Sequence, residues 1–106
     1  MTIDDFNTLV NNRVASCRGK LFGNKNIEYT RNNDKLHNFK VAARMDNETP
    51  ERALWGMWKK HIVSVKDIID DLPGALPTEE LLTEKIDDMI NYCLLLEALI
   101  TERREK

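Results

Sequence analysis

The sequence predicts an all-α protein, a bundle of about four helices. Apolar residues recur every three or four positions along most of the 106 residues, which is the spacing of one helix face. Threonines stand at three points where such segments begin, as helix N-caps do. No stretch keeps the alternation of apolar and polar residues that is typical of a β-strand. These observations indicate a single helical domain spanning residues 1–106.

The first two helices are predicted from caps and spacing. Thr2 followed by Asp5 indicates the start of a helix that runs to about Leu21, where Gly23 interrupts it. One stripe of this helix is expected to be buried, and it consists of Ile3, Phe6, Val10, Val14, Cys17 and Leu21. A shorter second helix is predicted to begin at Asn33 or Asp34 and to continue through Met45.

The last two helices have clearer signals. Thr49 followed by Pro50 predicts the start of the third helix, and Pro73 with Gly74 predicts its end. Thr78 caps a fourth helix that reaches about Arg103. Its buried seam is predicted from steps of three and four to be Leu82, Ile86, Met89, Cys93, Leu96 and Ile100.

The other side of the fourth helix carries the acidic face, which consists of Glu80, Glu84, Asp87, Asp88 and Asn91. Because Leu94, Leu95 and Ala98 continue this side, we expect another helix or another subunit to cover it. Covered carboxylates repel one another, and a divalent cation such as Mg²⁺ is the usual means of neutralising them. The alternative is a solvated acidic first turn that runs into a helix buried on all sides.

Composition favours a soluble cytoplasmic protein. No run approaches the ~18 apolar residues of a membrane span, and no segment of signal-peptide type is present. Cys17 and Cys93 lack the spacing of a zinc or redox motif, and both are expected to be buried thiols in a reducing compartment. The fourth helix has more apolar surface than three short neighbours can cover, which predicts a homo-oligomer.

Charge is divided unevenly along the chain. The net charge is −2, but residues 1–44 carry +4 and residues 45–106 carry −6. Nucleic acid is an unlikely partner, because the proteins that bind it are usually basic. The basic half and the acidic half could instead meet over one ligand, with phosphates against the first and their metal ions against the second.

Basic and polar residues on the second and third helices are candidates for binding such an anion. His37, Lys40 and Arg44 follow one another at helical spacing, which suits phosphate oxygens, although such a row is often only solvated surface. His61 lies within the apolar stripe of the third helix, where a core histidine is the more common role, and Lys60 precedes it.

A short motif in the fourth helix resembles a known family. Glu84-x-x-Asp87-Asp88, followed by Asn91 and Tyr92, is similar to the second metal motif of the MazG-like all-α nucleoside triphosphate pyrophosphohydrolases and of their small phage-encoded relatives. The segment from Lys25 to Tyr29 also resembles a stretch common in the phage relatives.

The resemblance implies hydrolysis of an NTP or dNTP to the monophosphate and pyrophosphate. It implies Mg²⁺ as cofactor, with Glu84, Asp87 and Asp88 as catalytic ligands and Glu28 or Glu80 completing the set. The candidate nucleotide-binding residues are His37, Lys40, Arg44, Lys60, His61 and Asn91. The family also carries a Glu-x-x-Glu pair on an earlier helix.

That first acidic pair has no counterpart facing inward on the third helix. Two alternatives to catalysis therefore stay open. One is a non-catalytic protein that binds or sequesters a nucleotide, for example a phage protein acting against host defence. The other is a helical adaptor whose acidic face docks a protein partner.

Overall fold

The computed structural model describes residues 1–23 and 33–105. It contains helices α1 (Ile3–Phe22), α2 (His37–Met45), α3 (Pro50–Asp71) and α4 (Glu79–Arg104). Regular structure in these two ranges is helical, which confirms the predicted all-α class and the number of helices.

The three threonine caps form as predicted. Their hydroxyl oxygens each accept a hydrogen bond from the backbone amide three residues later, Thr2 from Asp5 at 3.0 Å, Thr49 from Arg52 at 3.2 Å and Thr78 from Leu81 at 3.1 Å. Each bond satisfies one amide that the first helical turn leaves without a carbonyl partner. Helix starts are therefore decided by a few neighbouring residues.

The start of α2 differs from its prediction. The helix begins at His37, whereas Asn33 or Asp34 was the expected cap. The Asp34 carboxylate accepts from the Leu36 amide at 3.0 Å and from Lys40 Nζ at 2.8 Å. Asp34 therefore stabilises the turn that precedes α2. It does not cap the helix, which begins about one turn later.

The core lies where α2, α3 and α4 meet, because α3 packs against both of the other two helices. Leu36, Phe39, Leu54 and Leu99 are its buried side chains, and around them pack Met57, Tyr92, Leu95 and Leu96. Helix α1 attaches separately, against α4, and Cys17 is its one buried residue.

The predicted seam of α4 is only partly covered, since Ile86, Met89 and Leu96 are half-buried and Leu96 packs against the core. Leu82, Cys93 and Ile100 are exposed, whereas the buried residues of α4 are Asp87, Asn91 and Leu99. The helix is apolar on most sides, so the apolar pattern does not select one face. The polar partners of Asp87 on α1 favour burial of the face that carries Asp87. Cys93 lies on another face and is an exposed thiol.

The predicted stripe of α1 forms but is only half covered. Cys17 is buried and Leu21 is half-buried, while the residues before Arg13 on this stripe and Val14 face outward. Within the described part of the chain, no helix has the length and apolar character required to cross a membrane.

Candidate functional site

Asp87 of α4 is the most buried charged group described, with no exposed side-chain surface. Four donors from α1 converge on its carboxylate. Oδ1 accepts from Arg13 Nη1 at 2.8 Å and from Cys17 Sγ at 3.3 Å. Oδ2 accepts from Ser16 Oγ at 2.5 Å and lies 3.2 Å from Lys20 Nζ. The carboxylate is therefore fully satisfied by protein groups.

The helical repeat explains why these donors converge. Arg13, Ser16, Cys17 and Lys20 are three or four positions apart and so share one face of α1. The Arg13 guanidinium also reaches the Thr83 carbonyl and hydroxyl oxygens of α4, both at 3.4 Å. This polar face fixes α1 against the α4 side that carries Asp87.

The Asp87 cluster is ionised at neutral pH. Burial by itself would raise the pKa of the Asp87 carboxyl, but the donors outweigh it, Ser16 and Arg13 most strongly, and lower the pKa to about 2. Burial and the hydrogen bond to Asp87 raise the pKa of the Cys17 thiol to about 11. Two cations meet one anion, so the cluster carries a surplus positive charge.

A cleft of about 870 Å³ lies beside this cluster, between α1, α2 and α4. Its α1 wall contains Ser16, Gly19 and Lys20, and small residues there leave room for a ligand. The remaining lining residues combine apolar and polar groups, namely Leu21, Gly23, Lys35, Asn38, Phe39, Met57, Glu84, Asp88, Asn91, Tyr92 and Leu95. Volume and mixed lining are those of a small-molecule site.

Asn91 gives the cleft an unsatisfied polar group. Its side chain is 8% exposed, and its Oδ1 has no hydrogen-bond partner among the described residues. An unmade hydrogen bond at a buried acceptor costs about 1–3 kcal/mol. Because Asn91 is one of the residues that line the cleft, a ligand whose binding exposes this oxygen to an N–H or O–H donor would recover that energy.

Asp88 has α3 on its other side. His61 Nδ1 lies 3.3 Å from Asp88 Oδ2, although the geometry falls short of a hydrogen bond. The His61 ring packs 5.1 Å from the Tyr92 ring, which in turn stacks on Trp58 at 6.1 Å. This aromatic contact fixes the α3 side of the cleft.

The cleft brings together three of the residues predicted from sequence, Glu84, Asp88 and Asn91, with His61 behind Asp88. Asp87 faces α1 instead. Other predicted residues lie elsewhere: Glu80, Arg44 and Lys60 are exposed, His37 begins α2, and Lys40 pairs with Asp34 and Glu102 at 2.8 and 2.6 Å. Glu28 lies outside the described residues.

The metal prediction is unresolved by this geometry. The described residues contain no group of three or more His, Cys, Asp or Glu side chains placed to hold a metal ion. The cation expected over the acidic face is supplied at Asp87 by Arg13 and Lys20. Glu84 and Asp88 remain, one helical turn apart on the cleft.

Sequence reasoning missed the contribution of α1. The spacing of Arg13, Ser16 and Lys20 was available as a polar row beside the apolar stripe. This row of residues indicates no particular function unless a buried carboxylate lies opposite to it.

Comparison with protein-family models, curated proteins and solved structures finds no match to this chain.

Proposed function

We propose that this protein binds a nucleotide in the cleft between α1, α2 and α4 and does not hydrolyse it. The observation that carries the proposal is the buried, unpartnered Oδ1 of Asn91, a residue that belongs to the lining of a cleft of about 870 Å³. That space accommodates a ligand much larger than a free phosphate ion.

The chemistry of the lining supports a ligand with an aromatic and an anionic part. Phe39, Met57, Tyr92 and Leu95 offer apolar and aromatic surface, which suits a nucleobase. Lys20 and Lys35 line the same cleft and supply positive charges that suit phosphate oxygens, beside the carboxylates of Glu84 and Asp88. Base amino groups and sugar hydroxyls are donors that Asn91 could accept from.

Binding without hydrolysis is favoured by the state of Asp87. All four of its hydrogen bonds and ion pairs go to α1, so this carboxylate does not join Glu84 and Asp88 in the cleft. The predicted set of three catalytic carboxylates is therefore reduced to two at the cleft.

Thermal unfolding with each common nucleoside and deoxynucleoside triphosphate tests the proposal, in buffer with Mg²⁺ and in buffer with EDTA. A ligand at about one hundred times its Kd adds about 2.7 kcal/mol of stability, which is a shift of several degrees for a domain of this size. We expect such a shift to persist in EDTA. Absence of any shift with every nucleotide would reject the proposal.

Asn91→Leu is the variant that assigns the site. Leucine fills a similar volume and removes the unsatisfied oxygen, so the free protein should be at least as stable as wild type. Nucleotide affinity should fall about tenfold or more. Asn12→Leu, an exposed change on α1, is the matched control and should bind normally. Equal affinity of Asn91→Leu and wild type would place the ligand elsewhere.

Hydrolysis is the second candidate, favoured by one observation. Glu84 and Asp88 both face the cleft one helical turn apart, and Mg²⁺ is commonly held by one or two carboxylates together with substrate phosphates. Glu84 and Asp88 would hold the Mg²⁺ ion, and the chemistry supplied there would be neutralisation of phosphate charge and a lowered pKa for a bound water molecule.

Pyrophosphate release from each triphosphate in Mg²⁺ separates the two candidates. Hydrolysis predicts release that Glu84→Gln and Asp88→Asn abolish and EDTA stops. Binding alone predicts no release from wild type together with nucleotide affinity that is independent of Mg²⁺. Glu80→Gln, on an exposed part of the same helix, is the control for the loss of one charge.

A further inference from the structure

The N-terminal half of α1 presents an apolar surface that no described helix covers. Ile3, Phe6, Val10 and Val14 lie on one side of the helix, and we call them the α1 stripe. Their exposed fractions are 80%, 54%, 38% and 51%. Among the described helices, α1 packs only against α4, through the residues from Arg13 to Lys20.

The α1 stripe continues a surface that is already an interface. The same side of α1 runs on to Cys17, which is buried against α4, and to half-buried Leu21. The stripe presents apolar surface on the order of 400 Å², within the range of the largest patch on a typical monomer. A small stable dimer buries about 600 Å² from each partner, so polar flanks would supply the remainder.

The charges beside the α1 stripe identify the partner as a second copy of α1. Asp4 stands near the start of the helix and Arg18 near its end, on the same flank of the stripe. In an antiparallel pair with Val10 on the two-fold axis, Phe6 of one copy lies opposite Val14 of the other. Asp4 is then within about 3 Å, along the helix axis, of the position of Arg18 in the other copy.

We propose that the chain forms a two-fold symmetric dimer through antiparallel contact of the α1 stripes, with Asp4 of each copy facing Arg18 of the other. Such an isologous contact buries both stripes at once and opposes the two helix dipoles favourably. This contact uses α1, and it differs from the predicted oligomer, in which α4 was the surface to be covered.

Sedimentation equilibrium of the full chain measures the dimer directly. Wild type should show a concentration-dependent monomer–dimer equilibrium. Phe6→Lys should raise the dissociation constant about tenfold or more, because each copy would place a charge in the contact. Val63→Lys on α3 is the matched control, since Val63 is 56% exposed but lies outside the stripe. Its dissociation constant should equal that of wild type.

A charge exchange tests the orientation. Asp4→Arg alone and Arg18→Asp alone should each weaken the dimer, and the double variant should restore it. Effects on the helix dipole cannot imitate this result, because both substitutions disfavour the helix and would add. A monomer at every concentration would overturn the proposal. So would equal effects of Phe6→Lys and Val63→Lys, or a double variant weaker than both single variants.

Discussion

Replacing Asp87 with asparagine tests whether the α1–α4 contact depends on one buried charge. The asparagine keeps the shape but loses the charge, which leaves Arg13 and Lys20 facing a neutral group and each other. Removing one member of a buried ion pair costs about 3–5 kcal/mol. Since Arg13 is 22% exposed and Lys20 40%, water can solvate them in part, and we expect about 2–4 kcal/mol.

The same contact predicts a specific pH dependence. The pKa of Asp87 falls from 3.8 in its ordinary state to about 2 in the folded protein, which corresponds to about 2 kcal/mol of stability. Because the folded pKa is the lower one, this contribution is complete above about pH 5 and is lost as the pH falls toward 2. Asp87→Asn lacks the titrating group, so its stability deficit should shrink by about 2 kcal/mol over that interval.

Urea unfolding followed by circular dichroism measures both the stability deficit of Asp87→Asn and its pH dependence. The unfolding is repeated at a series of pH values from neutral down toward pH 2. Asp70→Asn is the control, because Asp70 pairs with Lys66 on an exposed surface and its loss should change little. Two results would refute the reasoning: wild-type stability of Asp87→Asn at neutral pH, or a deficit that stays constant as the pH falls.

Four further changes have expected outcomes. Lys40→Met should lower the melting temperature and leave nucleotide affinity unchanged, because Lys40 joins the turn before α2 to the last turns of α4; a loss of affinity without a loss of stability would contradict this. Leu54→Ala should cost about 2–5 kcal/mol in urea unfolding, since Leu54 is 1% exposed and leaves a cavity. Gly56→Ala should stabilise α3 by about 0.5–1 kcal/mol in the same assay, because a Cβ there meets nothing within 4 Å. Gly23→Ala should destabilise, because its Cβ would lie 2.6 Å from the Gly19 carbonyl oxygen.

Some residues of the candidate cleft were predicted from the sequence, and the residues of α4 show which part of the site such a prediction can reach. Asn91 and the cleft-facing pair Glu84 and Asp88 were chosen correctly as neighbours on one helix face, since helical spacing alone places them together. Lys40 was assigned to phosphate, but its charge is used between Asp34 and Glu102. Pairing of that kind depends on residues that are distant in sequence. It cannot be predicted from the spacing of basic residues on one helix.

The features that could be predicted correctly depend on local interactions. Thr2, Thr49 and Thr78 set the helix starts because each hydroxyl satisfies an amide three residues away, and that bond needs no other part of the fold. The all-α class followed from the same short-range signals.

The extent to which each side of α4 is buried depends on contacts with the other helices. Apolar residues occur on several sides of α4, and burial of Asp87 is tolerable only where opposite charges meet it. Arg13 and Lys20 meet that condition from about 70 residues away in the chain, so their role became visible only when α1 and α4 lay side by side.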